Sequence, residues 1–284
     1  MKNKLKVVAI AGPTASGKTK LAIEYAQEHN GEIISADSRL VYKGFDIATA
    51  KPTIEEMQGI KHHLIDIVEP DFDYSVANFY DDAKRAIEEI SSKGKLPVIA
   101  GGTGLYFRIL LENYAPPRIK ADENLRNELN HLSNEELANK LKDLDFDAFE
   151  KIYPNDRVRL IRALEVTVIS GIPFSKQAGV KNEEYDVTWL APEIKSREEL
   201  NNRINMRVDE MVEKGLLAET ENLLNKYGRI KNITNTIGYQ EMIEFLDNKI
   251  SFDEAVEKIK LNSRHYAKRQ LTWFRRNKNL NLNY

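Results

Sequence analysis

The 284 residues include no cysteine. That excludes disulfides and thiolate-ligated zinc, and it fits a reducing cytosol. No apolar run approaches the ~20 residues that a membrane-spanning helix needs. An excess of one charge is missing too. Lys and Arg number 42 against 44 Asp and Glu, a formal charge of −2. This excludes a uniformly basic, histone-like binder and leaves local basic patches open. There is no internal repeat and no low-complexity tract. What remains is ordinary for a globular protein, 42% hydrophobic and 30% charged, with room for one large core or two domains. The start, MKNKLKVVAIAG, is basic and then apolar like a signal peptide. Its apolar run is short and leads into GPTASGKT, so it reads as a first strand. A soluble cytoplasmic protein is expected.

The first third alternates short apolar runs with helical patterns, which predicts a parallel α/β sheet. KVVAIAG reads as a buried strand and Lys18 to His29 as a helix. EIISAD reads as a second strand ending at Asp37, and HHLIDIV as a third ending near Asp66. Ser75 opens a helix with Val76, Phe79, Ala83, Ala86, Ile87 and Ile90 at helical spacing, and Gly94 suits its C-terminal end. KLPVIAGG is a further strand, followed by a glycine loop and a helix through Leu105, Tyr106, Ile109 and Leu110. Pro116 and Pro117 then stop the helix. The following stretch is helical, with capping residues at Asp122, Ser133 and Asp156, until YDVTWL reads as a strand again and a long helix starts at Ser196. A helical insertion over about 118–186 is therefore expected within an α/β core formed by 1–117 and 187–284. A basic helical tail runs from Phe252 to Lys278.

GPTASGKT matches G-x-x-x-x-G-K-[ST] through Gly12, Gly17, Lys18 and Thr19. The glycines let successive N–H groups converge on phosphate oxygens, and the helix that follows aims its positive end at the same place. Lys18 adds a mobile charge, and the Thr19 hydroxyl suits Mg²⁺. The motif by itself specifies a polyphosphate with magnesium and does not specify a nucleotide. Asp37, at the end of the second strand, should face the same crevice. There it could ligate Mg²⁺, hold a hydroxyl or accept a proton, or it could simply cap a turn. Asp66 reads equally as a magnesium-holding carboxylate or a solvated turn residue. His62 and His63 lack metal-pair spacing and read as structural. In GGTGLY, Thr103 lies between glycines at another strand end.

Within the insertion, Arg159 and Arg162 lie about 60° apart on a helix, while Ile161, Leu164 and Val168 form an apolar stripe on another side. The arginines suit either RNA phosphates or a solvated face. In the tail, Arg264, Lys268, Arg269, Arg275, Arg276 and Lys278 surround Tyr266, Trp273 and Phe274 without an acid among them. Here the charges suit RNA, and most of the aromatics suit a helix's core face.

Taken together, GPTASGKT, ADSRLVYKGFDIATAKP, HHLIDI, YSVANF, PVIAGGTGLY, NDRVRLIRALEV, INMRVDEMVEKGL, IGYQE and RQLTWFR resemble, in order and over nearly the whole chain, the tRNA dimethylallyltransferase (isopentenyltransferase) family. The resemblance implies a P-loop NTPase-like parallel-sheet core with an inserted all-helical domain that grips the tRNA anticodon stem-loop. It implies a loop, Gly12, Pro13, Thr14, Ala15, Ser16, Gly17, Lys18 and Thr19, that holds the diphosphate of dimethylallyl diphosphate. Mg²⁺ would sit on Thr19. The five-carbon group would go to N6 of the adenosine adjacent to the anticodon. Asp37 would be the general base, with Thr103 near the leaving diphosphate and Arg126 against the substrate. Asp37, Ser38, Arg39 and Leu40 would contact the flipped adenine, and Val158, Arg159, Leu160, Ile161 and Arg162 the tRNA. A monomer without membrane contact is expected.

Four positions depart from the family's habit. Leu40 stands where glutamine is usual and cannot hydrogen-bond a base edge. Ala48 replaces a common glycine, and Arg157 with Val158 replaces Pro-Gln. Three rivals share parts of the pattern. A P-loop small-molecule kinase would place ATP in the cradle. A nucleotide-gated RNA-binding protein would need no chemistry. Prenyl transfer to free adenine nucleotides would need no insertion.

Overall fold

The apolar runs of the first third pair into a parallel sheet. The computed structural model describes residues 4–112, 117–177 and 184–282. In chain order the elements begin β1 (Leu5–Ala11), α1 (Lys18–Glu28), β2 (Gly31–Ser35), β3 (His62–His63), α2 (Val76–Ser92), β4 (Leu96–Gly101) and α3 (Gly104–Leu111). Five helices without a strand follow: α4 (Glu123–Asn130), α5 (Asn134–Leu144), α6 (Phe146–Lys151), α7 (Arg157–Ser170) and α8 (Phe174–Gln177). The chain then returns to β5 (Tyr185–Leu190), α9 (Arg197–Glu213), α10 (Leu216–Tyr227), α11 (Lys231–Thr234), α12 (Tyr239–Leu246) and α13 (Phe252–Phe274). Two compact units result, Met1–Arg108 with Glu183–Tyr284, and Ile109–Asn182.

In the first unit the strand order is β3-β2-β4-β1-β5, and every pairing is parallel. Val7 to Ala11 are all buried, as expected for a strand covered on both faces. Helix α1 packs Ala22, Ile23 and Ala26 onto Val8, Ile10, Ile33 and Val98. Each large aliphatic side chain removed from water in this way contributes about 1.5–3 kcal/mol. Ser75 caps α2 reciprocally with Asn78, and Phe79, Ala83, Ala86, Ile87 and Ile90 form its buried face. Gly94 follows with φ 68°. A second cluster joins Val41, Tyr42 and Phe45 to Val208, Leu216, Tyr239 and Met242. Because all strands run the same way, the loops after β1, β2 and β4 emerge at one edge, where open α/β sheets bind ligands.

Several expected boundaries move. The second strand ends at Ser35, although Ala36 still donates to the Ala100 carbonyl at 2.8 Å. The third stops at His63 because Leu64 and Asp66 take left-handed φ values of 63° and 54°, which no strand continues through. Tyr185 and Asp186, expected in the insertion, pair with Leu5 and Lys6 and therefore belong to the sheet. The tail helix ends at Phe274 rather than Lys278. Pro116 lies outside the described residues, while Pro117 is not helical.

The second unit has no strand among its described residues and packs Leu129, Leu137, Leu141, Leu160, Ala163 and Leu164 into its own core. Asp122, Ser133 and Asp156 cap α4, α5 and α7. The expected apolar stripe of α7 is displaced by about one residue. Val168 is 53% exposed, whereas Leu160 and Ala163 are fully buried. Glu165 is the polar centre of this unit. Its buried carboxylate accepts from the Asp122 amide at 2.9 Å, from Arg126 at 2.8 and 3.1 Å, and from Arg162. No helix among the described residues is long and apolar enough to cross a membrane.

Candidate active site

A cavity of about 570 Å³ opens at the loop edge of the first unit's sheet. Its floor is the phosphate cradle. Ala15 and Gly17 adopt left-handed φ values of 58° and 92°, turning the chain so that α1 starts at Lys18. A side chain on Gly17 would meet no neighbour, so backbone conformation alone selects glycine there. The Lys18 ammonium donates to the Pro13 carbonyl at 2.5 Å. Burial pulls its pKa down to about 7; Arg207 reinforces the fall and Asp37 opposes it.

Arg207, from α9, donates to the Thr14 hydroxyl at 3.1 Å and to the Thr49 carbonyl at 3.0 Å. Burial lowers its pKa as well, with Asp37 opposing. Arg207 and a Lys18 that an anion would restore to its charged form face a single carboxylate, an arrangement that favours an anionic ligand. From α13, Gln270 accepts from the Thr14 amide at 2.8 Å and donates to the Gly102 carbonyl at 2.9 Å, tying the cradle to the glycine loop after β4. That loop is tightly packed. A Cβ on Gly101 would lie 2.2 Å from the Ala36 oxygen, and one on Gly104 2.0 Å from the Trp273 ring.

Asp37 lies two residues beyond β2 and lines the cavity with Ser38, Arg39 and Leu40. Its Oδ1 accepts from the Arg39 amide at 2.8 Å, so the turn role and the site role coexist. Burial, then the Asp37 charge, pushes the Tyr266 phenol up to about 12; the same two causes raise Tyr106. Thr103 is absent from the cavity lining. Its hydroxyl accepts from the Ser38 amide at 3.2 Å, and its own amide donates to the Ala36 carbonyl at 3.1 Å. In this structure Thr103 braces the Asp37 loop. The remaining lining is mixed, with an apolar part from Ala48, Ile204, Val208, Met211, Ile237 and Ile259 and a polar part from Asn235, Thr236, Gln240, Asn262 and Ser263.

Asp66 pairs with the buried ammonium of Lys51, and its neighbour Ile65 lines the cavity instead. Of the two carboxylates, Asp37 is the one facing the cradle. His63 bonds Glu32 at 2.7 Å, a structural role as expected. His62 does reach the cavity wall. Its Nδ1 lies 2.9 Å from the Ile60 carbonyl, and burial, then His63, lowers its pKa.

The donor set can be tested against Mg²⁺. Among the described residues no cluster of three His, Cys, Asp or Glu side chains exists. The Thr19 hydroxyl and the Asp37 carboxylate line the cavity, and the Ser16 and Ser35 hydroxyls are buried without a partner. A sparse all-oxygen set suits Mg²⁺, which keeps waters and takes substrate phosphate oxygens.

Arg126, Val158, Arg159, Leu160, Ile161 and Arg162 belong to the second unit. Val158 is 82% exposed and Arg159 is exposed as well, with Ile161 half-buried. Leu160 is wholly buried in that unit's core, so its side chain presents no surface to a ligand. Arg162 is held by Glu165 and by the Ile119 carbonyl at 2.8 Å. In the tail, Phe274 packs edge-on against Phe107 at 5.7 Å, so that aromatic serves the core, while Lys268, Arg269, Arg276 and Lys278 are exposed.

Arg207 and Gln270 were not singled out in the sequence, and Tyr266 was named there only as one of the tail aromatics. A signal for two of them was present. Arg207 shares a helix face with Ile204, Val208 and Met211, and Gln270 shares one with Ala267, Leu271 and Phe274. A polar residue in an apolar stripe has to find a buried partner.

Residues 40–277 match the family model described as IPP transferase. The chain belongs to the IPP transferase family. The tRNA dimethylallyltransferase of Thermoanaerobacter sp. (strain X514) is 47% identical over 280 residues, covering 95% of this chain and 89% of the relative. That of Acetivibrio thermocellus is 48% identical over 281 residues, covering 96% and 90%. Among solved structures, the full-length tRNA isopentenylpyrophosphate transferase of Bacillus halodurans superposes with a TM-score of 0.73 at 44% identity, covering 99% of this chain and 90% of that one. A eukaryotic dimethylallyltransferase acting on tRNA gives 0.83 at 32% identity, covering 95% and 70%. For an IPP transferase, the P-loop core and the separate helical unit are the expected architecture.

Proposed function

We propose that this chain transfers a dimethylallyl group from dimethylallyl diphosphate to N6 of the adenosine adjacent to the anticodon in tRNA, releasing diphosphate. The observation that carries the reading is one cavity with a cationic cradle, a carboxylate and an apolar wall. A diphosphate bearing a short hydrocarbon needs the first and the third. An exocyclic amine that must lose a proton needs the second.

The amides of Ala15 to Thr19, with Lys18 and Arg207, bind the diphosphate and offset the charge that grows on it as the allylic C–O bond breaks. Mg²⁺, held through Thr19, would supply further charge neutralisation of the leaving group. Adenine N6 must leave the base stack to reach the carbon. Asp37, oriented by its turn and braced by Thr103 through Ser38, accepts the N6 proton as the new C–N bond forms. In the second unit, the exposed Arg159 is assigned to the anticodon stem-loop, which it would hold through phosphate contacts, with Val158 packing beside it. The reaction is assigned to a cytoplasmic monomer.

The test supplies Mg²⁺, unmodified tRNA and labelled dimethylallyl diphosphate, with ATP in a parallel tube. Label on N6 of the adenosine beside the anticodon supports the reading. Phosphate release from ATP without tRNA, and no transfer, would turn the site over to a kinase.

A further inference from the structure

Residues 46–50 form a loop of which Ala48, Thr49 and Ala50 line the cavity. No strand pairs with it, so its amides need other acceptors. Ala50 bonds back to the Ile47 carbonyl at 2.9 Å, and the amides of residues 46–48 find one side chain, Glu219 of α10. The Asp46 amide donates to Oε2 at 3.2 Å, the Ile47 amide to both oxygens at 3.0 and 2.8 Å, and the Ala48 amide to Oε1 at 3.1 Å. The buried Tyr239 hydroxyl donates to Oε1 at 2.7 Å. Next to it, Gly238 comes so close that an added Cβ would lie 3.1 Å from Cβ of Ala48. Beyond this anchor the Thr49 carbonyl accepts from Arg207, whose other nitrogen reaches Thr14 in the cradle.

A single carboxylate thus fixes a loop whose next carbonyl holds the cradle's second cation. We propose that Glu219 is a positioning residue: by binding the amides of residues 46–48 it sets the Thr49 carbonyl, and through it the placement of Arg207 over the phosphate cradle. The link to catalysis rests on the reading of the cradle as a diphosphate site; the anchor itself does not. Both carboxylate oxygens only accept hydrogen bonds, so glutamine cannot replace glutamate. Whichever way the amide is turned, its NH₂ faces a backbone N–H. Glu219→Gln keeps shape and volume and removes this one property, and Tyr239→Phe removes only the bond to Oε1.

Two measurements on the full chain test the inference. In amide hydrogen exchange without ligand, Glu219→Gln should lose protection at residues 46–48 by about tenfold or more, and Tyr239→Phe by less. In calorimetric titration with inorganic diphosphate and Mg²⁺, Glu219→Gln should weaken binding about tenfold in the wild-type background and less than about twofold in an Arg207→Gln background. Unchanged exchange at residues 46–48 would overturn the anchor. Equal losses of binding in both backgrounds would overturn the route through Arg207. Wild-type protein that binds no diphosphate would overturn the reading of the cradle and the catalytic link with it, an outcome the ligand-free exchange result distinguishes from failure of the anchor.

Discussion

Lys18 should make diphosphate binding proton-linked. Burial and the nearby Arg207 lower its pKa from 10.5 to about 7, with Asp37 opposing. A diphosphate in the cradle supplies the missing counter-charge and restores the ammonium. With a bound-state pKa near the ordinary value, binding at about pH 8 takes up ~0.9 proton at Lys18, because the free group is then about nine-tenths neutral. At about pH 6 the uptake falls to ~0.1 proton. Between these limits the affinity weakens towards tenfold per pH unit, about 1.4 kcal/mol. The sign for folding is opposite. The lowered pKa of a base means that the unfolded chain holds more protons between about 7 and 10.5, so Lys18 favours the ligand-free fold increasingly as pH rises through that window. Calorimetry in buffers of different ionisation enthalpy measures the uptake, and Lys18→Met serves as the reference for the ligand's own protonation. Wild type minus variant should climb from near zero at about pH 6 to nearly one proton at about pH 8. A flat difference would refute the linkage.

Asp37→Asn keeps an acceptor for the Arg39 amide and should lower transfer by about 10²–10⁴ in single-turnover assays, with diphosphate binding retained or tightened. Gln270→Ala removes bonds to Thr14 and Gly102 from a buried site and should cost about 1–3 kcal/mol in urea unfolding. Gly102→Ala should cost less than Gly101→Ala, because its Cβ would meet the movable end of Gln270 rather than the Ala36 backbone. Burial pushes the Glu165 carboxyl up, but hydrogen bonds from Arg126 and Arg162 outweigh it and hold the pKa below the usual range. Its contribution to stability should therefore be complete above the ordinary carboxylate pKa and be lost as pH falls through the lowered one. Glu165→Gln should cost about 3–5 kcal/mol near neutral pH.

The features that could be read from the sequence are those written within a few residues. The cradle, the caps at Ser75, Asp122, Ser133, Asp156 and Ser196, and the alternation of strands with helices all depend on neighbours along the chain. The helical unit was also legible as a change of texture. Its end was less so, because Tyr185 becomes sheet only through pairing with Leu5. The phase of α7 was misjudged because Ile161 and Val168 are apolar but face outward more than Leu160 does. The clearest omissions, Arg207 and Gln270, contact cradle residues 193 and 256 positions away, a distance over which local pattern carries no information. Asp37 was found because strand-end position is local. Its tie to Thr103 through Ser38 was not.

The Gln270 tie also bears on when the site comes into being. The Thr14 amide is satisfied by a side chain made 256 residues later, and the same side chain closes the loop at Gly102. A nascent chain stopped before α13 has the cradle's sequence and its strand, with the Thr14 amide and the Gly102 carbonyl still facing water. Contacts of such long separation form late and close large loops. The cradle is therefore completed only once α13 has been made. A truncated product that displays the P-loop sequence should bind phosphate poorly.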